Sequence, residues 1–317
     1  MSAEFVRAPF LTRLVSLCVS SSETAGKLIS QIASSGNLKL INKSLTGRFD
    51  PQTEADRLSQ TCIRKTLLSS FPDLNIICEE ENIEDELDDG IIESIQPDSV
   101  VLHSECPKEF MNLSEKDVVV WVDPLDGTMG FVKSNFHQVV VSIGIATQGK
   151  AIAGILHQPM CCDRGAGEPK SAYDYSKSYP RTVWGIVGSD IHGLIPRERF
   201  RLANSVLLLS ESHHNVRDQN IAKKLALCTI IQCSGAAYKG LCILEDEADV
   251  MVYSSPGTKK WDTCAIDALF KIKGGIVSDL HGHNLDYNST ATFANTGGIF
   301  LTLKHHEAYI NKIKEIL

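Results

Sequence analysis

The chain has 317 residues, ten cysteines and a formal charge of −8, a length that leaves one large domain or two tightly joined ones open. Its 43% hydrophobic and 22% charged residues are ordinary for a globular protein, and no apolar run approaches the ~20 residues of a membrane span. The acid excess provides no basic stripe for a nucleic-acid polymer. Cysteines scattered without a signal-peptide order at the N-terminus are read as reduced thiols of a cytoplasmic protein.

Residues 1–18 are read as the start of an amphipathic helix, and 10–32 are predicted helical, with Leu11, Leu14, Val15 and Cys18 on one stripe. A second helix is predicted over 53–70 through Ala55, Leu58, Cys62 and Leu67, ended by Pro72 and Asp73. Residues 74–78 form a short buried strand that runs into Glu79, Glu80 and Glu81. The polar, acidic stretch 82–117 is expected as a solvated insertion. An apolar strand over 118–122 stops at Asp123 and Pro124, and strands 138–147 and 151–157 form a hairpin about Gly149. Residues 165–180 read as loop, followed by strands at 183–188 and 205–210. Helices are predicted near 220–227 and 236–245, then a strand at 250–253, a helix opening at Trp261 and Asp262, a strand at 275–279 and a helix after His305. Strands interleaved with helices argue a layered α/β architecture. A seam is expected near 180–210, between 1–190 with most of the acidic candidates and 191–317 with Asp262, packed as one unit.

The first candidate for chemistry is Asp123-Pro124-Leu125-Asp126-Gly127-Thr128 at the end of a buried strand, where α/β proteins bring polar groups to a cleft. Pro124 breaks the ladder and Gly127 permits a positive φ, so the carboxylates of Asp123 and Asp126 can converge with the Leu125 carbonyl between them. Hard cations such as Mg²⁺ take oxygen ligands of this kind; the same residues also make a good turn. Glu79 and Glu80 end a strand or open the acidic loop. Asp262 is a candidate ligand or an ordinary helix cap, and Asp56 a candidate or a first-turn acid favouring the helix dipole. His213-His214, His281-x-His283 and His305-His306 are weak grounds for zinc, which takes tightly arranged nitrogen or sulfur ligands.

Taken together, Glu79-Glu80, D-P-L-D-G-T at 123–128 and W-D-T-C-A at 261–265 resemble the inositol monophosphatase superfamily of metal-dependent, lithium-sensitive phosphatases. The closer similarity is to its 3'(2'),5'-bisphosphate nucleotidase branch, carried by Q-T-E-A-D-R-L at 52–58, A-I-A-G-I with H-Q-P at 151–159, S-S-P-G-T-K-K-W-D-T-C-A at 254–265 and D-L-H-G at 279–282. That resemblance implies an α-β-α-β-α sandwich of the inositol monophosphatase and fructose-1,6-bisphosphatase type. It implies about two or three Mg²⁺ ions held by Glu79, Asp123, Asp126, Asp262 and the Leu125 carbonyl. Asp56 and Thr128 match the pair that activates water, Thr128 also lying against substrate. Ser210, His213, Gly235 and Lys239 fall where the nucleotidases hold adenosine phosphate. The implied reaction is hydrolysis of adenosine 3',5'-bisphosphate to AMP, in a monomer or weak oligomer. Met129, Gly130 and Phe131 replace the usual Lys-Glu-aromatic, and Ile266 a proline, departures that bear on substrate preference and rate. An inositol phosphate or polyphosphate is the alternative substrate, and a silent nucleotide- or metal-binding protein the alternative class.

Overall fold

The structure, a computed structural model, describes residues 2–44, 49–80, 86–163, 173–195, 205–211, 215–226 and 229–317. Helix α1 (Ala3–Arg7) is followed by α2 (Phe10–Ser35). The two are separate because Ala8 and Pro9 are extended, so the amphipathic segment expected from residue 1 is broken once. A hairpin of β1 (Ile41–Asn42) and β2 (Pro51–Gln52) leads to α3 (Glu54–Ser70) and β3 (Asn75–Cys78). The acidic stretch, described from residue 86 on, is largely solvated as expected, yet it is folded and anchored. It holds α4 (Asp89–Ser94) and α5 (Ser99–Leu102), and Val101, Cys106 and Phe110 are buried in the core beside α2.

Then come β4 (Val119–Asp126), α6 (Thr128–Val132), β5 (Val140–Thr147), β6 (Lys150–Cys161), β7 (Tyr179–Ile186) and β8 (Ile191–His192). The hairpin stands as expected, but β6 runs four residues past His157, with a register shift between Gln158 and Cys161. The second part has β9 (Val206–Ser210), α7 (Val216–Leu225), β10 (Thr229–Cys233), α8 (Ala236–Leu244), β11 (Val250–Tyr253), α9 (Lys260–Lys273), β12 (Ile276–Ser278), β13 (Ile299–Thr302) and α10 (His306–Lys314). Helix α7 opens earlier than periodicity placed it because Asn215 and Asp218 form a capping box.

Among the described residues one sheet has the order β3-β4-β5-β6-β7-β8 and the other β10-β9-β11-β13-β12. In the second, alternation sorts side chains between two cores. Leu207, Leu209, Val250, Val252 and Phe300 face α7 and α10, whereas Val206, Leu208, Met251, Ile299 and Leu301 face α8 and α9. On the first sheet Val120, Val122, Ile143, Ile145 and Ile155 pack against α2 and α3, and Val140 and Leu156 join the core of α8 and α9. The layers are thus α2/α3, first sheet, α8/α9, second sheet, α7/α10: the α-β-α-β-α sandwich. The sheets divide between His192 and Val206, yet α9, from the second part, lies directly on the first sheet.

That close approach depends on glycine. Gly144 pairs with Gly154, which pairs with Gly185 across three strands. A Cβ on Gly144 would stand 2.5 Å from Cys264 Cβ and 2.6 Å from Ala265 N, and one on Gly185 2.7 Å from Ile272 Cδ1. The bare row lets α9 seat its backbone on the sheet, which fixes the height of its first turn above β4.

Candidate active site

Parallel strands aim their carboxyl ends at one crevice. In the first sheet β3 runs into Glu79 and the parallel stretch of β4 into Asp123, and the backbone N–H of Glu79 donates to Val122 O at 3.0 Å, setting the two acids side by side. In the second, β9, β10 and β11 run parallel and end at Ser210, Ser234-Gly235 and Ser254. Strand β4 does not stop at Asp123 as its composition foretold. Pairing resumes at Asp126 after a register shift, and Gly127 (φ 91°) then turns the chain into α6 at Thr128.

Two further acids come from helix starts by one device. Asp56 and Asp262 each occupy the third position of a capping box. Thr53 N and Oγ1 donate to Asp56 Oδ2 at 2.7 and 2.5 Å, and Lys259 N donates to Asp262 Oδ2 at 2.6 Å. One oxygen caps the helix; the other is left for the crevice. Thr128 Oγ1 lies 3.1 Å from Asp56 Oδ1 and 3.2 Å from the Leu125 carbonyl oxygen.

Carboxylate oxygens of Asp123, Asp126 and Asp262 lie within 4.8 Å of one another, the only such group of three potential ligands found among the described residues. Burial, then repulsion from Glu79, Asp126 and Asp262, pushes the Asp123 carboxyl well above the usual range. Asp262 is pushed up to about 8, by burial first and then by Asp126 and Glu79. Asp126 is raised by burial against the pull of Lys239 and the amides of α8. A cation among these acids offsets both desolvation and repulsion. The donors are hard oxygens without sulfur or imidazole, and they fit Mg²⁺. Glu79 stands at the edge of the trio, 3.3 Å from Lys43 Nζ. Burial raises Asp56 to about 7, against the lowering hydrogen bonds from Thr53.

The substrate-side residues are placed less uniformly. Gly235 (φ 74°) abuts the cluster, for a Cβ there would stand 2.8 Å from Asp126 Oδ2. The helix N-terminus that follows is already engaged: Ala236 N and Ala237 N donate to Asp126 at 3.0 and 2.6 Å. Lys239 is buried, its Nζ donating to Cys233 O at 3.0 Å, so its charge acts beneath Asp126. Ser210 is buried at the end of β9. His213 lies outside the described residues, but both flanks are held. Glu211 takes Lys133 Nζ at 2.8 Å and Ser234 Oγ at 3.3 Å, and Asn215 receives Ser254 Oγ at 3.2 Å. Gly130, one of the departures, lies under Ser234, whose Cβ is 3.0 Å from where its own would be.

The sequence did not announce Lys43, which bridges Glu79 and, at 2.9 Å, buried Glu80. Glu80 is also held by Gln52 and by Gln60, whose Oε1 accepts its N–H at 3.0 Å. The lysine sits in a polar hairpin with no periodicity to mark it. Among the described residues the other paired histidines join no group of three potential metal ligands: His306 Nε2 meets Ser278 Oγ at 2.9 Å, and His283 Nδ1 meets Asp279 at 3.0 Å.

Known proteins are similar to this chain in sequence and in fold. Human 3'(2'),5'-bisphosphate nucleotidase 1 is 33% identical over 309 residues, covering 96% of this chain and 95% of its own. The protein of the same name from Dictyostelium discoideum is 32% identical over 308 residues, covering 96% and 97%. The crystal structure of extragenic suppressor protein suhB from Bartonella henselae superposes with a TM-score of 0.67 at 18% identity over 96% of this chain and 99% of that one, a likeness of fold alone. The inositol monophosphatase family model matches residues 11–317, and with the acid cluster and layered sheets in place, the chain belongs to the inositol monophosphatase family.

Proposed function

We propose that this protein is a 3'(2'),5'-bisphosphate nucleotidase, a Mg²⁺-dependent phosphomonoesterase that hydrolyses adenosine 3',5'-bisphosphate to AMP and phosphate. The observation that carries this is the buried acid trio beside the Thr128–Asp56 hydrogen bond, in a chain a third identical to nucleotidases along nearly its full length. Glu79, Asp123, Asp126, Asp262 and the Leu125 carbonyl would hold the metal. Bound Mg²⁺ supplies charge neutralisation at the phosphate and lowers the pKa of a bound water. Thr128 Oγ1 accepts the proton of the attacking water as its own passes to Asp56 Oδ1, 3.1 Å away. About two or three ions, lithium inhibition, a cytoplasmic location and a monomeric or weakly associated state belong to the same proposal and rest on kinship.

Thr128→Ala removes the relay and keeps the metal donors. Its kcat is expected to fall ~10²-fold with KM little changed. A large rise in KM at normal kcat would assign Thr128 to binding alone.

A second reading, hydrolysis of inositol phosphates, has Met129 and Gly130 in its favour, since they replace the Lys-Glu expected of a nucleotidase. Phosphate release from adenosine 3',5'-bisphosphate, inositol 1-phosphate and inositol 1,4-bisphosphate with Mg²⁺ separates the two, and faster release from an inositol substrate sinks the nucleotidase assignment. His213, between its anchored flanks, is proposed to stack on adenine, worth ~1–3 kcal/mol by analogy with base–aromatic contacts. His213→Ala is therefore expected to raise KM for the nucleotide roughly tenfold and to leave inositol phosphate hydrolysis unchanged.

A further inference from the structure

We propose that Gln138, which lies outside the acid cluster, is a positioning residue for the metal site, fixing the Ser234–Ala237 turn whose amides hold Asp126 and taking its own orientation from His137. Gln138 is buried and closes a single helical turn, Phe136–Gln138, just before β5. Its main-chain oxygen packs on both glycines of the site: a Cβ on Gly127 would stand 3.0 Å from it and one on Gly235 3.1 Å. Its side chain reaches the same turn, with Oε1 2.8 Å from Ser234 N. Two residues on, Ala236 N and Ala237 N hold the two oxygens of Asp126. The turn is thus held by Gln138 at Ser234 and itself holds Asp126 at Ala236 and Ala237, so that a movement of Ser234 is passed to the carboxylate.

Hydrogen-bond chemistry settles which way the amide faces. A backbone N–H only donates, so the Gln138 atom facing Ser234 N must be the oxygen. The amide nitrogen then faces His137 Nε2 at 3.2 Å and donates to it. The His137 proton is therefore on Nδ1, which donates to the Tyr175 hydroxyl oxygen at 2.8 Å. Tyr173 stacks on the imidazole with centroids 3.7 Å apart and Tyr238 of α8 meets it edge-on at 5.6 Å. The His137 carbonyl accepts from Gln158, whose Oε1 takes Arg181 Nε at 2.7 Å. Ring and backbone are both fixed, and a flipped Gln138 amide would set its NH₂ against the Ser234 N–H. The chain from Tyr175 through His137 and Gln138 to Ser234 has one consistent direction, and it ends at Asp126.

The proposal rests on Asp126 being a Mg²⁺ ligand. Its test is Mg²⁺ binding to the full chain by calorimetry without substrate, beside the unfolding temperature in chelator. Gln138→Met keeps the shape and deletes both side-chain hydrogen bonds. The Mg²⁺ dissociation constant is expected to rise about tenfold, the change that loss of a buried hydrogen bond brings. A purely structural residue would lower the unfolding temperature alone, so unchanged Mg²⁺ affinity in the folded variant overturns the proposal. His137→Phe frees the amide to flip and is expected to weaken Mg²⁺ in the same direction. Should Gln138→Met not fold, unchanged affinity in His137→Phe overturns the proposal equally. An unmodified protein that binds no Mg²⁺ removes the metal reading and the proposal with it, a result distinct from a variant that matches its parent.

Discussion

Asp123→Asn is expected to abolish Mg²⁺-dependent phosphate release while making the chelated protein more stable. The two effects have one cause. Asp123 is fully buried, and its carboxyl is raised first by that burial and then by Glu79, Asp126 and Asp262. A carboxyl whose folded pKa lies above its unfolded value stabilises the fold when protonated, and that contribution is lost as pH rises through the folded pKa. Without metal, the charged form is a liability that asparagine removes. Asparagine keeps the acceptor for Leu125 N, now 3.0 Å away, so local geometry survives. Removing a ligand charge should cost several kcal/mol of transition-state stabilisation, ~10³-fold or more in rate. Unfolding temperatures in chelator, measured at pH 5 and pH 8.5, should show a gain for the variant that grows with pH, because the parent's raised carboxyl loses stability from its unfolded pKa upward. Mg²⁺ should raise the parent's unfolding temperature far more than the variant's. Full activity in the variant, or an unfolding temperature in chelator that falls at high pH, would be incompatible with a metal-holding Asp123. Asp126→Asn is the less clean experiment, because Asp126 also caps α8 through Ala236 and Ala237.

How far the site could be read in advance depended on whether its geometry was local. Asp123, Asp126 and Thr128 lie on one turn, so their convergence follows from Pro124 and Gly127. Asp56 and Asp262 each admitted a helix-capping role and a site role; the structure shows the cap and leaves room for the other, because a capping box uses one carboxylate oxygen and spares the second. The acidic stretch 82–117 misled for the opposite reason: its charge run masked the apolar Val101 and Phe110, which anchor it to the core. Lys43 went unseen because its partners, Glu79 and Glu80, lie more than thirty residues on, at |i−j| of 36 and 37. Gly235 was expected beside the adenosine phosphate, but the amides that follow it, Ala236 N and Ala237 N, are already given to Asp126. Periodicity cannot reveal a contact of that range.

The glycine row belongs to the same class, since nothing in the sequence says that Gly144, Gly154 and Gly185 stand abreast until the strands are in register. Its consequence is the last expected result: Gly144→Ala should damage both stability and catalysis, although it touches no site residue. The added methyl would stand 2.5 Å from Cys264 Cβ and 2.6 Å from Ala265 N, where ordinary carbon contacts need ~3.5–4.0 Å. Helix α9 must therefore retreat by roughly 1 Å, and overpacking of this kind costs ~1–3 kcal/mol. Neither neighbour can yield alone, because one is a helix backbone atom and the other a Cβ fixed to it. Asp262 lies only two and three residues before them and moves with the turn, away from Asp123 and Asp126, which stay with β4. A displacement of this size can lower kcat ~10²-fold in protein that remains folded, with Mg²⁺ affinity falling in parallel because one of the three converging carboxylates has withdrawn. Ser142 Oγ, 3.3 Å from Trp261 O on the same face, supplies the contrast: Ser142→Ala deletes that bond without pushing the helix and should leave kcat near the parent value. If Gly144→Ala folds and turns over substrate as the parent does, the seating of α9 on the sheet is not what sets Asp262 in place.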